Sequence, residues 1–389
     1  MIDFSNTEIA FSYKKTSELR KACILFKLIK KPFISDFLTS MSLFLMRIHF
    51  PIHWFIKPLM FSHFCGGKNA TEALGTVEHL AKFKVFSILD FAAEGLTKDS
   101  QTDKTIAELK KTIDLAAQNQ NIAFAAFKPT ALAPADLLET INWSKSLSSN
   151  ENDLKNRFES QFNDLCDYAT QKSVRLLIDA EEYRYQEYID HLSELAMQKH
   201  NKDEVFIFTT VQMYRTDRLD YLKNLIADAR EKEYKLGIKF VRGAYLEQER
   251  ELALKKGYSS PVFETKQQTD DAFDAAVKFT LENIDIASCF IGTHNQISIE
   301  KAVERMKVLK LKNFDNEVFF SQLYGMSDNL SFNLSKEGYN VAKYLPYGPV
   351  KVTIPYLMRR AQENTAMAGQ TSRELQMVVQ EMKRRKAQK

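Results

Sequence analysis

The chain has 389 residues, 44% of them hydrophobic and 27% charged, a globular balance far from that of disordered sequences and enough length for one large core or two ordinary ones. Fifty-four basic and fifty acidic residues leave a net charge of +4, too even to point to nucleic acid as a partner. The four cysteines and seven histidines are scattered without CxxC or HExxH spacing, which leaves a disulfide scaffold and a metal-dependent mechanism unsupported and fits a reducing compartment.

The first fifteen residues hold no continuous apolar run, so no cleavable signal peptide is expected. From Asp36 to Arg47 and from Arg47 to Lys57 the uncharged stretches fall far short of the roughly 18–20 residues that a bilayer requires. From Lys14 to Lys57, Lys14, Lys15, Arg20, Lys21, Lys27, Lys30, Lys31, Arg47 and Lys57 face only Glu18 and Asp36. Apolar residues such as Leu25, Phe26, Ile29, Phe33 and Phe37 recur between them at helical spacing. Residues 1–80 therefore read as a helical region, either a cap on the main domain with a solvated basic face or a surface that docks on anionic lipid.

Near residue 84 the pattern changes to short β-prone runs: Val85–Asp90, Ile122–Phe127, Val174–Asp179, Val205–Val211, Gly237–Arg242, Cys289–Thr293, Val318–Leu323 and Asn340–Leu345. Helix-periodic segments such as Thr105–Gln118, Leu219–Glu231 and Thr269–Asn283 lie between them. Strand and helix in alternation imply a parallel sheet covered on both faces. Eight strands are the number that closes a (β/α)8 TIM-type barrel, expected here over 81–372, with 373–389 left as a basic C-terminal tail, frayed over Lys383–Lys389.

A barrel of this kind does its chemistry at the C-terminal ends of its strands. Asp90, Lys128, Asp179, Gln212, Arg242, His294 and Tyr344 all fall at or just beyond the ends of the apolar runs. No G-x-S-x-G elbow, P-loop or GxGxxG turn is present. Asp179, Glu181 and Glu182 leave open a hydrolase or lyase that uses them as an acid/base set. After the last run, Pro346, Gly348 and Pro349 force a turn, and a helix is expected from about Thr353. On it Arg359 and Arg360 stand about 100° apart, so both can lean on one anion, with Glu363 placed to hold Arg359. Two guanidiniums suit a carboxylate; an exposed basic turn is the plainer alternative.

Two segments resemble a known family. Ile238-Lys239-Phe240-Val241-Arg242-Gly243-Ala244-Tyr245, followed by Glu247 and Glu249, and Tyr344-Leu345-Pro346-Tyr347-Gly348 with Tyr356-Leu357-Met358-Arg359-Arg360-Ala361-Gln362-Glu363-Asn364 are similar to the signatures of proline dehydrogenases. Val211–Tyr214, Leu177–Glu182 and Thr293–Asn295 recur there in the same order, so the resemblance covers roughly residues 65–370. It implies a distorted (β/α)8 barrel that binds FAD without a Rossmann turn and oxidises L-proline to Δ1-pyrroline-5-carboxylate. Hydride would pass to flavin N5 and electrons to a membrane quinone, from a cytoplasmic-side position on a bacterial inner membrane. Family members are often fused to an aldehyde dehydrogenase, so with no such domain here a separate pyrroline-5-carboxylate dehydrogenase is expected downstream.

The resemblance also implies roles for single residues. Arg359 and Arg360 match the clamp on the proline carboxylate, Lys128 a lysine beside that carboxylate and the flavin, Tyr344 a tyrosine over the substrate ring, and Leu323 an apolar wall. Asp179 and Gln212 match contacts to the flavin ring, and Arg242 an arginine near N5. Gly243, Thr265, Lys266, His294 and Glu363 match the rest of the FAD site. Related hydroxyproline oxidases carry a small residue where this chain has Tyr344, so proline is expected to be preferred over 4-hydroxyproline.

Overall fold

The computed structural model describes residues 2–29, 60–91, 99–144, 146–350, 353, 356–357 and 370–388. Eight strands close into one parallel barrel in sequence order: β1 (Phe86–Phe91), β2 (Ile122–Phe127), β3 (Leu176–Ile178), β4 (Ile207–Gln212), β5 (Leu236–Val241), β6 (Ala287–Gly292), β7 (Val318–Leu323) and β8 (Val341–Tyr347). This is the (β/α)8 architecture expected from the alternation. Every apolar run singled out in the sequence carries one of these strands, as segments rich in Val, Ile, Leu and Phe do when buried on both faces of a parallel sheet.

Helices α1 (Thr7–Ala10), α2 (Thr16–Ile29), α3 (Ser62–Phe64) and α4 (Ala70–Ala81) precede β1. Along the strands follow α5 (Asp99–Gln118), α6 (Ala135–Trp143), α7 (Ser149–Gln171), α8 (Tyr183–His200), α9 (Arg218–Glu231), α10 (Leu246–Lys256), α11 (Lys266–Leu281), α12 (Gln296–Val308) and α13 (Asp328–Lys336). Helix α14 (Gln370–Ala387) comes after β8. The chain forms two compact units, Gly95–Ser321 and a discontinuous one of Met1–Glu94 with Gln322–Lys389.

Within Gly95–Ser321, Phe124 of β2 meets Phe208 of β4, Phe290 of β6 and Phe319 of β7 at 5.3, 5.1 and 5.0 Å between ring centroids, each nearly edge-on. Three of these rings come from alternate strands, the way a barrel stacks its interior in layers, and each aromatic pair adds about 0.5–1.5 kcal/mol beyond its area. Just before β3, Arg175 lies over the Phe124 and Phe319 rings and donates to the Asn316 carbonyl at 2.8 Å. The N-terminal end of these strands is thereby filled, which leaves their C-terminal ends for chemistry.

In the other unit, Leu19, Ala22, Cys23 and Phe26 form an apolar stripe on α2 that is buried with Met377 and Val378 of α14. Lys14, one of the residues counted above as a basic face, is instead largely covered and paired with the buried Asp328 at 2.8 Å. Over 14–29 the amphipathic stretch is thus covered by its own chain; residues 30–57 lie outside the described residues. The C-terminal segment departs from the frayed tail expected of it, because it is helical through Ala387. The buried Glu381 carboxylate takes Arg384 Nε at 2.8 Å and Arg385 Nε at 2.7 Å, and Arg385 reaches back to the Phe11 and Lys14 carbonyls at 2.8 Å each. Internal pairing, with Glu four residues before Arg, removes the repulsion that would have frayed it. No helix among the described residues is long and apolar enough to cross a membrane.

Candidate active site

In Gly95–Ser321 the strand ends bring together two of the groups singled out by position, Lys128 and Asp179. Asp179 follows β3, and its backbone N–H donates to the Phe127 carbonyl at 3.0 Å, which sets it beside Lys128 at the end of β2. Its Oδ2 lies 3.9 Å from Lys128 Nζ, and its Oδ1 accepts from Lys239 Nζ at 2.7 Å. All three side chains are nearly buried. A carboxylate removed from water in this way is tolerated only because ammonium groups face it.

Lys239 was not among the expected site residues, and Arg242, which was, points elsewhere. Arg242 donates through Nε to Asp270 at 2.6 Å, through Nη1 to Thr293 Oγ1 at 2.7 Å and through Nη2 to Ser298 Oγ at 2.9 Å. Phe240 and Arg242 both meet the Phe273 ring of α11, at 6.5 and 4.4 Å, so these two positions face the helix layer. Side chains along a strand alternate between faces, which leaves Lys239 to face Asp179. Counting parity outward from Phe240 would have found it.

Gln212 ends β4 buried. Its Nε2 donates to the Glu181 carbonyl at 2.8 Å, while its Oε1 has no hydrogen-bond partner among the described residues. Gly243 sits at φ +126°, and a Cβ there would lie 2.6 Å from the Tyr214 ring; both the backbone conformation and the contact require glycine. Thr265 caps α11 in a reciprocal arrangement with Gln268, and Lys266, largely exposed, pairs with Asp270. His294 follows β6 half-buried. The three carboxylates that suggested an acid/base set are held apart: Asp179 by lysines, Glu181 by the Thr130 N–H and hydroxyl at 2.9 and 2.6 Å, and Glu182 by Arg184 at 2.7 Å. That removes the support for the hydrolytic alternative.

In the unit of Met1–Glu94 and Gln322–Lys389, Tyr344 lies within β8, paired with Ile88 of β1, and its carbonyl accepts from the Tyr324 N–H at 3.0 Å. Its neighbour Lys343, on the opposite face, is fully buried and pairs with Asp328 at 2.9 Å. Leu323, at the end of β7, packs on a buried cluster that includes Leu25, Phe64, Met326 and Leu357. Arg359, Arg360 and Glu363 lie outside the described residues.

A family model described as Proline dehydrogenase matches residues 73–373. Among curated relatives, the Carbapenem antibiotics biosynthesis protein CarD of Pectobacterium carotovorum subsp. carotovorum is 30% identical over 327 residues, covering 84% of this chain and 85% of that protein. Proline dehydrogenase 1, mitochondrial, of Dictyostelium discoideum is 31% identical over 430 residues, covering 99% of this chain and 75% of the relative. Among solved structures, proline utilization A (PutA) from Bdellovibrio bacteriovorus inactivated by N-propargylglycine has the same fold, with a TM-score of 0.72 at 19% identity. That match covers 94% of this chain and 38% of the solved one.

Proposed function

The chain belongs to the proline dehydrogenase family, and from that premise we propose that it oxidises L-proline to Δ1-pyrroline-5-carboxylate with bound FAD, the electrons leaving to a membrane quinone. The observation that carries the cofactor reading is Gln212, whose buried carbonyl oxygen faces no donor of the described chain. An unpaired buried acceptor costs about 1–3 kcal/mol, and a flavin ring, which offers an imide N–H, is a group that offsets it. Lys128, Lys239 and Asp179 carry formal charges that sum to +1, which favours a bound ring that becomes electron-rich or a substrate carboxylate.

FAD, when bound, supplies a two-electron acceptor that takes hydride at N5. The chain's own groups do the rest. Lys128 stands for the substrate carboxylate, together with the Arg359-Arg360 pair that the resemblance assigns to it. An amino-acid carboxylate without such partners would be costly to bury, and holding it fixes which ring carbon is presented. Tyr344 stands over the substrate ring and Leu323 beside it, which disfavours a ring hydroxyl. Asp179, held by Lys239, and Gln212 would take the flavin ring, with Arg242 near N5; Gly243, Thr265, Lys266, His294 and Glu363 would take the rest of the cofactor. Lys239 supplies positive charge next to Asp179.

An anaerobic absorption spectrum tests cofactor and substrate together. The protein should show the visible bands of oxidised flavin, bleached by L-proline and little affected by 4-hydroxyproline. Reoxidation should be faster with a quinone in anionic vesicles than with a water-soluble one. A colourless protein that takes up no added FAD, or a flavin unmoved by L-proline, would overturn the reading.

A further inference from the structure

Glu181 occupies no role in the chemistry above, yet it is buried and bonded on every side. Its carboxylate accepts the Thr130 N–H and hydroxyl, at 2.9 and 2.6 Å, just beyond Lys128. Its own N–H donates to Gln186 Oε1 at 2.8 Å. Its carbonyl accepts from Gln212 Nε2 at 2.8 Å.

Two of these contacts have fixed polarity. A backbone N–H only donates, so the Gln186 atom facing Glu181 must be oxygen, and Gln186 Nε2 is left to donate to Asp190 Oδ1, which it does at 2.8 Å. The other Asp190 oxygen takes Arg218 Nη1 at 2.5 Å, so this carboxylate offers Gln186 only an acceptor. A backbone carbonyl only accepts, so the Gln212 atom facing Glu181 must be nitrogen. Amide orientation is otherwise free to invert. Here inversion would set oxygen against oxygen at the Glu181 carbonyl. Oε1 of Gln212 is thereby committed to the side where the described chain supplies no donor.

We propose that Glu181 is a positioning residue that locks the Gln212 amide with its oxygen toward the ligand, so that the site selects a ligand carrying an N–H donor at that point. The inference rests on the FAD reading and deepens it: the group received is the ring imide, and the selectivity originates in a residue that does not touch the ligand. The bonds to Thr130 and Gln186 keep the Glu181 carbonyl in place, and that carbonyl keeps the amide in place.

The test is the ratio of affinities for FAD and 3-methyl-FAD, whose methyl group replaces the imide hydrogen, measured by titrating flavin-stripped protein and following fluorescence quenching. The wild type should prefer FAD by ~10-fold or more, the range of one buried hydrogen bond lost with its acceptor left unpaired. In Glu181→Leu, which can hold neither the Thr130 N–H nor its hydroxyl, the preference should fall to ~2–3-fold as Gln212 becomes free to turn. Gln186→Met, which spares the Glu181 carboxylate and removes the acceptor for its N–H along with the donor to Asp190, should show the same fall and replaces the Glu181 variant if that one does not fold. Loss of affinity for both flavins by one factor, with the wild-type ratio kept, is what a merely structural residue gives and overturns the proposal. Equal binding of the two flavins by the wild type overturns the donor assignment. Failure of the wild type to take up either flavin removes the FAD reading itself, a result distinct from a preserved ratio in the variants.

Discussion

At Asp179 one carboxylate stands between two ammonium groups, 2.7 Å from Lys239 and 3.9 Å from Lys128. The shorter contact is the stronger, so removing Lys239 leaves a buried anion with its weaker partner. Lys239→Met is expected to cost about 3 kcal/mol in urea unfolding of the flavin-free protein. Because Asp179→Asn removes the charge left behind, the double variant should be less destabilised than the sum of the singles by 1 kcal/mol or more; strict additivity would mean the pair is not coupled. Arg242 drew attention in the sequence because it sits beyond a strand end, where reactive groups belong. Lys239 did not, because a charge inside an apolar run is legible only through strand parity. Glu181 was legible as one of three neighbouring acids, but its bond to Thr130, 51 residues earlier, has no local signal at all.

Helix α13 begins at Asp328, where four elements meet. Its carboxylate accepts from Lys14 Nζ and Tyr13 OH at 2.8 Å each and pairs with Lys343 of β8 at 2.9 Å. The preceding N–H, of Ser327, donates to Glu374 of α14 at 2.5 Å. Burial alone would raise the Asp328 carboxyl, but the two ammoniums outweigh it and hold it well below the usual carboxylate range. Asp328→Asn should therefore cost about 3–5 kcal/mol, because two largely covered cations lose their anion. Asp220→Asn, in an exposed pair with Lys223, should stay within about 0.5 kcal/mol. Denaturant midpoints of the two variants, measured side by side, check the contrast. The strands and most helices were legible because their periods are local: β2 and β7 coincide with the apolar runs, residue for residue. What ties α13 to the N-terminal segment and to α14 was not. Lys14 read as surface charge, and α14 as a tail, because their partners lie across the chain.

For the molecule as a whole, pH acts through His63. Burial, reinforced by the Lys14 charge, pushes its imidazole down to about 3, while Nε2 contacts the Gly325 carbonyl at 2.8 Å. Unfolded, it titrates near about 6.5. Between these values the unfolded chain binds the proton and the folded one does not, so stability is full above pH ~6.5 and declines as pH falls toward ~3. His63→Gln should lose less stability than the wild type between pH 7.5 and 4.5, by about 2–3 kcal/mol, in denaturant titrations at the two pH values; equal losses would discount the imidazole. The discontinuous unit, Met1–Glu94 with Gln322–Lys389, also imposes an order of events during synthesis. Lys14 precedes Asp328 by 314 residues, and at 5–20 residues per second that is a wait on the order of 15–60 s. Throughout it the α2 stripe has no α14 to cover it and β1 has no β8. Until the last residues leave the ribosome, α2 and β1 therefore lack the partners that cover them, and transiently exposed surface of that kind is what makes a nascent chain prone to aggregate.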